Sequence, residues 1–362
     1  MHLTIPPFQS ITMKFAFLTR RNIVIAAIVL VVAGGYFAWQ PIQGAFVPSV
    51  ASDITDPYVY IPTGSSFEDV VKILKKCRFI RDEANFRWLA AQMNYKKDVM
   101  RAGRYEVKAG WTNKQLIQHL RSGPQAPVRL VLTTMRLPEE VAGKVSQLLE
   151  ADSLSLIRLF HNDKYLEQYN LTHETLISVI IPNTYEIYWN TDAKGFLDRM
   201  VKEHDAFWAK NGREQRATQM GLSTHEIYTV ASIVERETNN NDEKPRIAGV
   251  YLNRLRVDMK LQADPTCVFA TRDFATHRVT QKHTGFDSPY NTYMYKGLPP
   301  GPISMASIPS IDAVLNHEKH KYLYFCARPD ESGTHTFAET LSAHKVNAVR
   351  FQRYAAAKMR GK

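Results

Sequence analysis

Eighteen consecutive residues without a formal charge, Asn22 to Trp39 (NIVIAAIVLVVAGGYFAW), constrain this chain more than any other feature. As a helix, at about 1.5 Å per residue, the run reaches roughly 27 Å, close to the hydrocarbon thickness of a bilayer. Arg20 and Arg21 stand immediately before it, and Tyr36, Phe37 and Trp39 supply an aromatic belt at its far end. Basic residues are retained on the cytoplasmic side, so the run predicts a single-pass anchor in the inner (cytoplasmic) membrane. Residues 1–21 would lie in the cytoplasm and the chain beyond about residue 40 across the membrane. A cleaved signal needs a small-x-small site, and Tyr36 to Trp39 is bulky, so the segment reads as retained. Residues 1–12 are odd for a signal, which makes Met13 an alternative start.

The 362 residues exceed one typical domain and predict two or more folded units. Lys and Arg number 46 against 35 Asp and Glu, a net charge of +11. Only Lys14, Arg20 and Arg21 precede Asp53, the first acidic residue, so an excess of about +8 persists in the exported part. That excess suits an anionic partner, and export makes nucleic acid the wrong one. Cys77, Cys267 and Cys326 form no C-x-x-C pair, which excludes a zinc ribbon and a disulfide framework. His317-Glu318-Lys319-His320 spaces its histidines by three, not the four of a zinc-protease helix. No G-x-S-x-G elbow or phosphate-cradling loop is present, and neither metal nor cofactor is expected.

Pro41 to Pro57 reads as a linker, and two similar segments follow it. Ile61-Pro62-Thr63-Gly64-Ser65-Ser66 leads into Phe67, Val70, Val71 and Leu74 at helical spacing. Val107-Lys108-Ala109-Gly110-Trp111-Thr112 leads into Leu116, Ile117 and Leu120. Each opens a strand–turn–helix unit with Ser66 or Thr112 as N-cap. The pattern is that of a LysM-like carbohydrate-binding module, and equally that of an ordinary α+β packing unit. Val128 to Leu132 reads as a strand, with helices at Pro138 to Leu149 and Ser153 to Phe160.

Ser223-Thr224-His225-Glu226 is a capping box. Ile227, Val230, Ala231 and Val234 then recur as one buried helical face, and the helix carries Glu235-Arg236-Glu237-Thr238. Glu235 and Glu237 lie about 160° apart around the axis, flanking the apolar stripe, so they cannot form a close dyad. Either, half buried, would have the raised pKa of a general acid, and either could equally be a solvated helix-end charge. Farther on come Tyr251 to Leu255, closing a second helix, and Gln262-Ala263-Asp264-Pro265-Thr266, where Pro265 predicts an extended or turn conformation. Tyr290-Asn291-Thr292-Tyr293 offers flat aromatic faces with amide and hydroxyl groups. Gly297-Leu298-Pro299-Pro300-Gly301-Pro302-Ile303 is a stiff loop with little entropy to lose.

In order along the chain, Ala102-Gly103-Arg104-Tyr105, Ala231 to Thr238, Asn253-Arg254-Leu255, Gln262 with Asp264-Pro265-Thr266, Tyr290 to Tyr293, Gly297 to Ile303, Tyr322 to Phe325 and His335-Thr336-Phe337 resemble the endolytic murein transglycosylases of the MltG (YceG-like) family. The resemblance implies an α+β chain: an anchor at 22–39, a linker at 40–57, a LysM-like α/β region at 58–130 and a mixed α+β catalytic domain at 131–362. It implies cleavage of the MurNAc-β-1,4-GlcNAc bond without water, giving 1,6-anhydromuramoyl ends, with Glu235 as acid and then base. Asn253, Gln262, Asp264, Thr266, Tyr290, Asn291, Thr292 and Tyr293 are the implied substrate-binding set, and Glu237 a structural residue. Implied partners are peptidoglycan strands, the inner membrane and peptidoglycan synthases. Asn183 stands where an acidic residue is expected, and Ala263 and Cys267 replace aliphatic ones. The alternative is a membrane-anchored, wall-binding scaffold without catalysis, which would have no need of Glu235.

Overall fold

Two glycines and two hydroxyls organise the first half of the chain. In the computed structural model, which describes residues 20–44, 46–276 and 278–360, Gly64 and Gly110 both adopt positive φ (82° and 75°), a turn conformation that penalises any Cβ. Just after each, Ser66 and Thr112 cap α2 (Phe67–Lys76) and α4 (Asn113–Ser122) in full capping boxes with Asp69 and Gln115. Such a cap contributes about 1 kcal/mol. α1 spans Arg20–Gly44, β1 Tyr58–Ile61, α3 Glu83–Gln92 and β2 Gly103–Glu106. β1 and β2 pair antiparallel, Tyr58 opposite Glu106 and Ile61 opposite Gly103. Val59, Ile61, Val70, Leu74, Phe79, Phe86, Tyr105, Leu116 and Ile117 form one core beneath them.

The residues expected as a cytoplasmic tail lie outside the described residues up to position 19. Within α1, Ile23, Val24, Ile25 and Val29 to Val32 are among the exposed apolar side chains. The side chains of Asn22, Phe37 and Ala38, which belong to the expected span, also lie outside what is described. Among the described residues, no helix is long and apolar enough to cross a membrane.

The chain divides into two compact units at Ala126 and Pro127. β3 (Val128–Leu132) therefore falls wholly in the second unit, because it pairs antiparallel with β4 (Asn183–Ile187), Leu130 facing Tyr185. Between them come α5 (Pro138–Ser146), α6 (Ser153–Phe160) and the short α7 (Asp163–Leu166). With α8 (Ala193–Ala209) they enclose a core of Leu130, Val141, Phe160, Phe196 and Met200.

After α9 (Arg213–Gln219) the chain enters α10 (Thr224–Glu237), capped by Ser223 with Glu226. The sequence predicts one buried face for α10, but all eight residues from Ile227 to Val234 are buried. Its polar members hide by bonding back to the helix: Thr229 Oγ1 donates to His225 O (2.8 Å) and Ser232 Oγ to Thr229 O (2.7 Å). α10 is thus a central helix, packed by α11 (Lys244–Arg256) and α14 (Ile308–Leu315). Gly249 lets the segment after α14 close on α11; a Cβ there would meet Glu318 O at 2.6 Å.

α12 runs Asp264–Thr271, so Pro265 sits in a first helical turn rather than in extended chain. That position needs no N–H donor, which is why a proline is accepted there. The short α13 (Gln281–Thr284) follows. The hairpin of β5 (Tyr324–Ala327) and β6 (His335–Ala338) is covered by α15 (Leu341–Arg360). The stiff loop ending at Ile303 docks on α10. Ile303 N donates to Ser232 Oγ (3.0 Å) and Ala306 N to Tyr228 Oη (3.0 Å), while Tyr228 Oη donates onward to Ile180 O (2.8 Å).

Candidate active site

α10 ends with two carboxyls two residues apart, and its neighbours give them opposite environments. Glu235 faces the N-termini of α11 and α14. Its Oε2 accepts from Lys244 Nζ (3.2 Å), Ser307 Oγ (2.5 Å) and Ser310 Oγ (2.5 Å). The pair is well buried, with side-chain exposures of 5% for Lys244 and 14% for Glu235. Burial alone would raise the Glu235 pKa, but the two hydroxyls and the ammonium outweigh it and hold the carboxyl below its ordinary value. Glu235 lines neither of the two cleft lobes that Glu237 lines. It is a buried, ion-paired tie between three helices.

Glu237 faces the other way. Its Oε1 accepts a hydrogen bond from the Tyr251 hydroxyl on α11. Burial lifts its pKa to about 7 and the negative charge of Asp264 adds to the lift, against the Tyr251 hydrogen bond and the positive charge of Arg254. A carboxyl titrating near neutrality can give a proton in one step and take one back in the next. The two glutamates meet different neighbours, and the one that lines the cleft is the one expected to be structural.

Glu237 and Asp264 together line two adjoining lobes. One lobe, about 220 Å³, is walled by Arg136, Arg236, Phe269, Phe274 and Ile303. The other, about 380 Å³, is walled by Tyr251, Arg254, Gln262, Tyr293, Tyr324 and His335. Asp264 opens α12, and its Oδ1 accepts from Tyr293 Oη (2.5 Å). Gln262 is exposed and held at φ 45°, its N–H donating to Thr292 O (3.1 Å). Behind His335 of the second lobe, buried Glu243 accepts from both N and Nδ1 of that residue (2.8 and 3.0 Å) and so fixes the ring.

Of the eight expected binding residues, the structure brings Gln262, Asp264 and Tyr293 to the cleft. The others build the frame behind it. Asn253 Nδ2 donates to His320 O (2.8 Å) and Tyr322 O (3.0 Å), stapling the segment before β5 to α11. Asn291 is fully buried, its Nδ2 shared among the carbonyls of His283, Thr284 and Phe286. Thr266 and Thr292 meet through their hydroxyls at 2.8 Å, and Thr292 Oγ1 also accepts from Ala263 N. Tyr290 packs on Phe269 with ring centroids 4.8 Å apart. These side chains hold the loop that presents Tyr293.

Arg136, Arg236, Tyr251, Arg254 and His335 are among the cleft residues that carry no role in the sequence reading. One signal was available. Tyr251 and Arg254 are three apart on one helix and so share a face.

The sequence profile of the YceG-like family matches residues 59–350. A protein named endolytic murein transglycosylase from Streptococcus pneumoniae serotype 2 (strain D39) is 28% identical over 355 residues, which cover 88% of this chain and 63% of the pneumococcal one. The chain therefore spans less than two thirds of that relative. A protein of the same name from Bacillus subtilis (strain 168) is 28% identical over 331 residues, covering 86% of this chain and 89% of its own. Among solved structures, a YceG-like protein from Listeria monocytogenes superimposes with a TM-score of 0.54 at 28% identity, over 80% of this chain and 97% of that one.

Proposed function

This chain belongs to the YceG-like family, whose profile covers most of it, and from that premise we propose that it is an endolytic peptidoglycan transglycosylase. The observation that carries the proposal is Glu237, a carboxyl lifted to about 7 at the junction of two cleft lobes. A glycan strand lying across both lobes presents an internal bond to it. Protonated Glu237 donates to the glycosidic oxygen as that bond breaks, leaving an oxocarbenium-like muramoyl C1. The C6 hydroxyl of the same sugar attacks C1, and the Glu237 carboxylate takes its proton, so no water enters and the acid is regenerated. Tyr251 orients the carboxyl, while Asp264, Tyr293 and Gln262 contact the sugar.

The placement fits a strand cut near the membrane. Asn22 to Trp39 serves as a single-pass inner-membrane anchor with a cytoplasmic N-terminus, 40–57 as linker, and the first unit as a LysM-like wall-binding region. Peptidoglycan synthases are the natural partners of such an enzyme. A scaffold without catalysis would not need a neutral-range carboxyl in a cleft. The test is mass spectrometry of peptidoglycan digested by the purified full chain and by its Glu237→Gln and Glu235→Gln variants. Anhydromuramoyl ends from wild type and Glu235→Gln, absent with Glu237→Gln, are the expected result. Hydrated reducing ends from wild type would make the protein a hydrolase instead.

A further inference from the structure

The smaller lobe beside Glu237 holds two guanidiniums that its chemistry does not employ. Arg236 stands between the two glutamates on α10. Its Nε is buried with no hydrogen-bond partner, and its Nη2 reaches only Thr134 O at 3.5 Å. The Arg136 guanidinium lies over the Phe274 ring, 4.7 Å from its centre. Neither is ion-paired among the described residues. Burial and then the like charge of Arg136 depress the pKa of Arg236, with Glu235 and Glu140 acting the other way. Both carboxylates are committed: Glu235 to Lys244, and Glu140 to the backbone N–H groups of Arg136 and Leu137 (2.7 and 3.3 Å). Two like charges held half-buried beside an unpaired Nε cost free energy, and an arriving anion would relieve it.

We propose that Arg136 and Arg236 form a carboxylate-binding subsite that reads an acidic group of the strand beside the bond presented to Glu237. The proposal rests on the transglycosylase reading and names what that reading leaves open, the feature of the sugar that sets its register in the cleft. A guanidinium matches a carboxylate with two parallel N–H donors, and stacking on Phe274 keeps the Arg136 plane aligned for it. The carboxylate has two sources in peptidoglycan: the lactyl group of a muramic acid without its peptide, or the stem peptide itself.

The test is equilibrium binding by the full chain bearing Glu237→Gln, so that strands are held without being cut. The probes are soluble glycan strands stripped of stem peptides, strands retaining them, and each of these with its carboxylates converted to methylamides. The unmodified strands are expected to bind about tenfold to a hundredfold more tightly than the amidated ones, as for a charge-assisted pair. Arg136→Gln or Arg236→Gln on the same background is expected to bring that ratio close to one. Arg136→Lys, which keeps the charge without the fork, should fall between. A preference confined to stripped strands assigns the lactyl carboxylate, and one confined to peptide-bearing strands assigns the peptide. Amidation changing affinity less than about twofold, or a preference surviving both arginine substitutions in proteins of unchanged melting temperature, overturns the subsite. If wild type cuts the strands and only the preference is missing, the subsite alone falls. If wild type neither cuts nor binds any of them, the transglycosylase reading falls with it.

Discussion

Replacing Glu235 by Gln should damage the fold and spare the chemistry, although the residue lies two positions from the proposed acid. Lys244 would be left 5% exposed with its ion-pair partner gone, and Ser307 and Ser310 would lose an ionised acceptor. Removing one member of a buried pair costs about 3–5 kcal/mol. Glutamine keeps one acceptor oxygen, which puts the expected loss near the low end, about 3 kcal/mol. For a unit of this size that is a fall of roughly 6–12 °C in melting temperature, followed by circular dichroism at neutral pH. Adding Lys244→Met should return much of the loss, since the stranded charge goes with it. The pH dependence has a definite sign. The Glu235 pKa is depressed in the fold, so its contribution is present above the unfolded value and disappears as pH falls through the folded one. The gap between variant and wild type must therefore narrow on acidification below about 4.5. Below its melting range the variant should cleave strands within a few-fold of wild type. A Glu235→Gln protein with unchanged melting temperature and no cleavage would refute the assignment of the two glutamates.

Glu237→Gln should melt close to wild type and lose about 10²–10⁴-fold in cleavage rate, read from anhydromuramoyl product; retention of more than a tenth of the rate would exclude it as the acid. As the proposed acid, Glu237 must be protonated to act, so kcat/KM should decline tenfold per pH unit above about 7. Asp264→Asn removes a charge that raises that pKa and should move the decline to lower pH. Tyr251→Phe removes a bond that lowers it and should move the decline higher; identical profiles in all three proteins would contradict the electrostatics. Asn291→Ala strands the three carbonyls it serves and should cost about 2–3 kcal/mol by urea denaturation, and a loss below about 0.5 kcal/mol would argue against its role as a staple.

What the sequence announces is local. The N-caps expected at Ser66 and Thr112 and the capping box expected at Ser223 depend on residues close in sequence, and the structure forms all three. The burial of α10 on every side was hidden because Thr229 and Ser232 look polar in one dimension, and only the helix itself satisfies them. The angle between Glu235 and Glu237 follows from helical pitch. Which of them meets Lys244, Ser307 and Ser310 depends on α11 and α14, as much as 75 residues away. The Tyr290–Tyr293 stretch shows a limit of composition as a guide. An amide suited to an N-acetyl group is equally suited to backbone carbonyls, and Asn291 is spent on the latter. Charge is legible as a total, but not the gathering of Arg136 and Arg236 at one lobe from places a hundred residues apart.

The loop that ends at Ile303 is held at its base by hydroxyls of α10 that accept from the backbone N–H groups of Ile303 and, just beyond it, Ala306. Its own side chains take no part in those bonds. Within the loop Gly301 admits no side chain, since a Cβ there would meet the Glu174 carbonyl at 2.1 Å, and Gly297 is held at φ 84°, which disfavours any other residue. The instructions for the loop's placement are written on the helix, in Tyr228 and Ser232. Anyone grafting this loop onto a different scaffold would have to transplant those two hydroxyls with it.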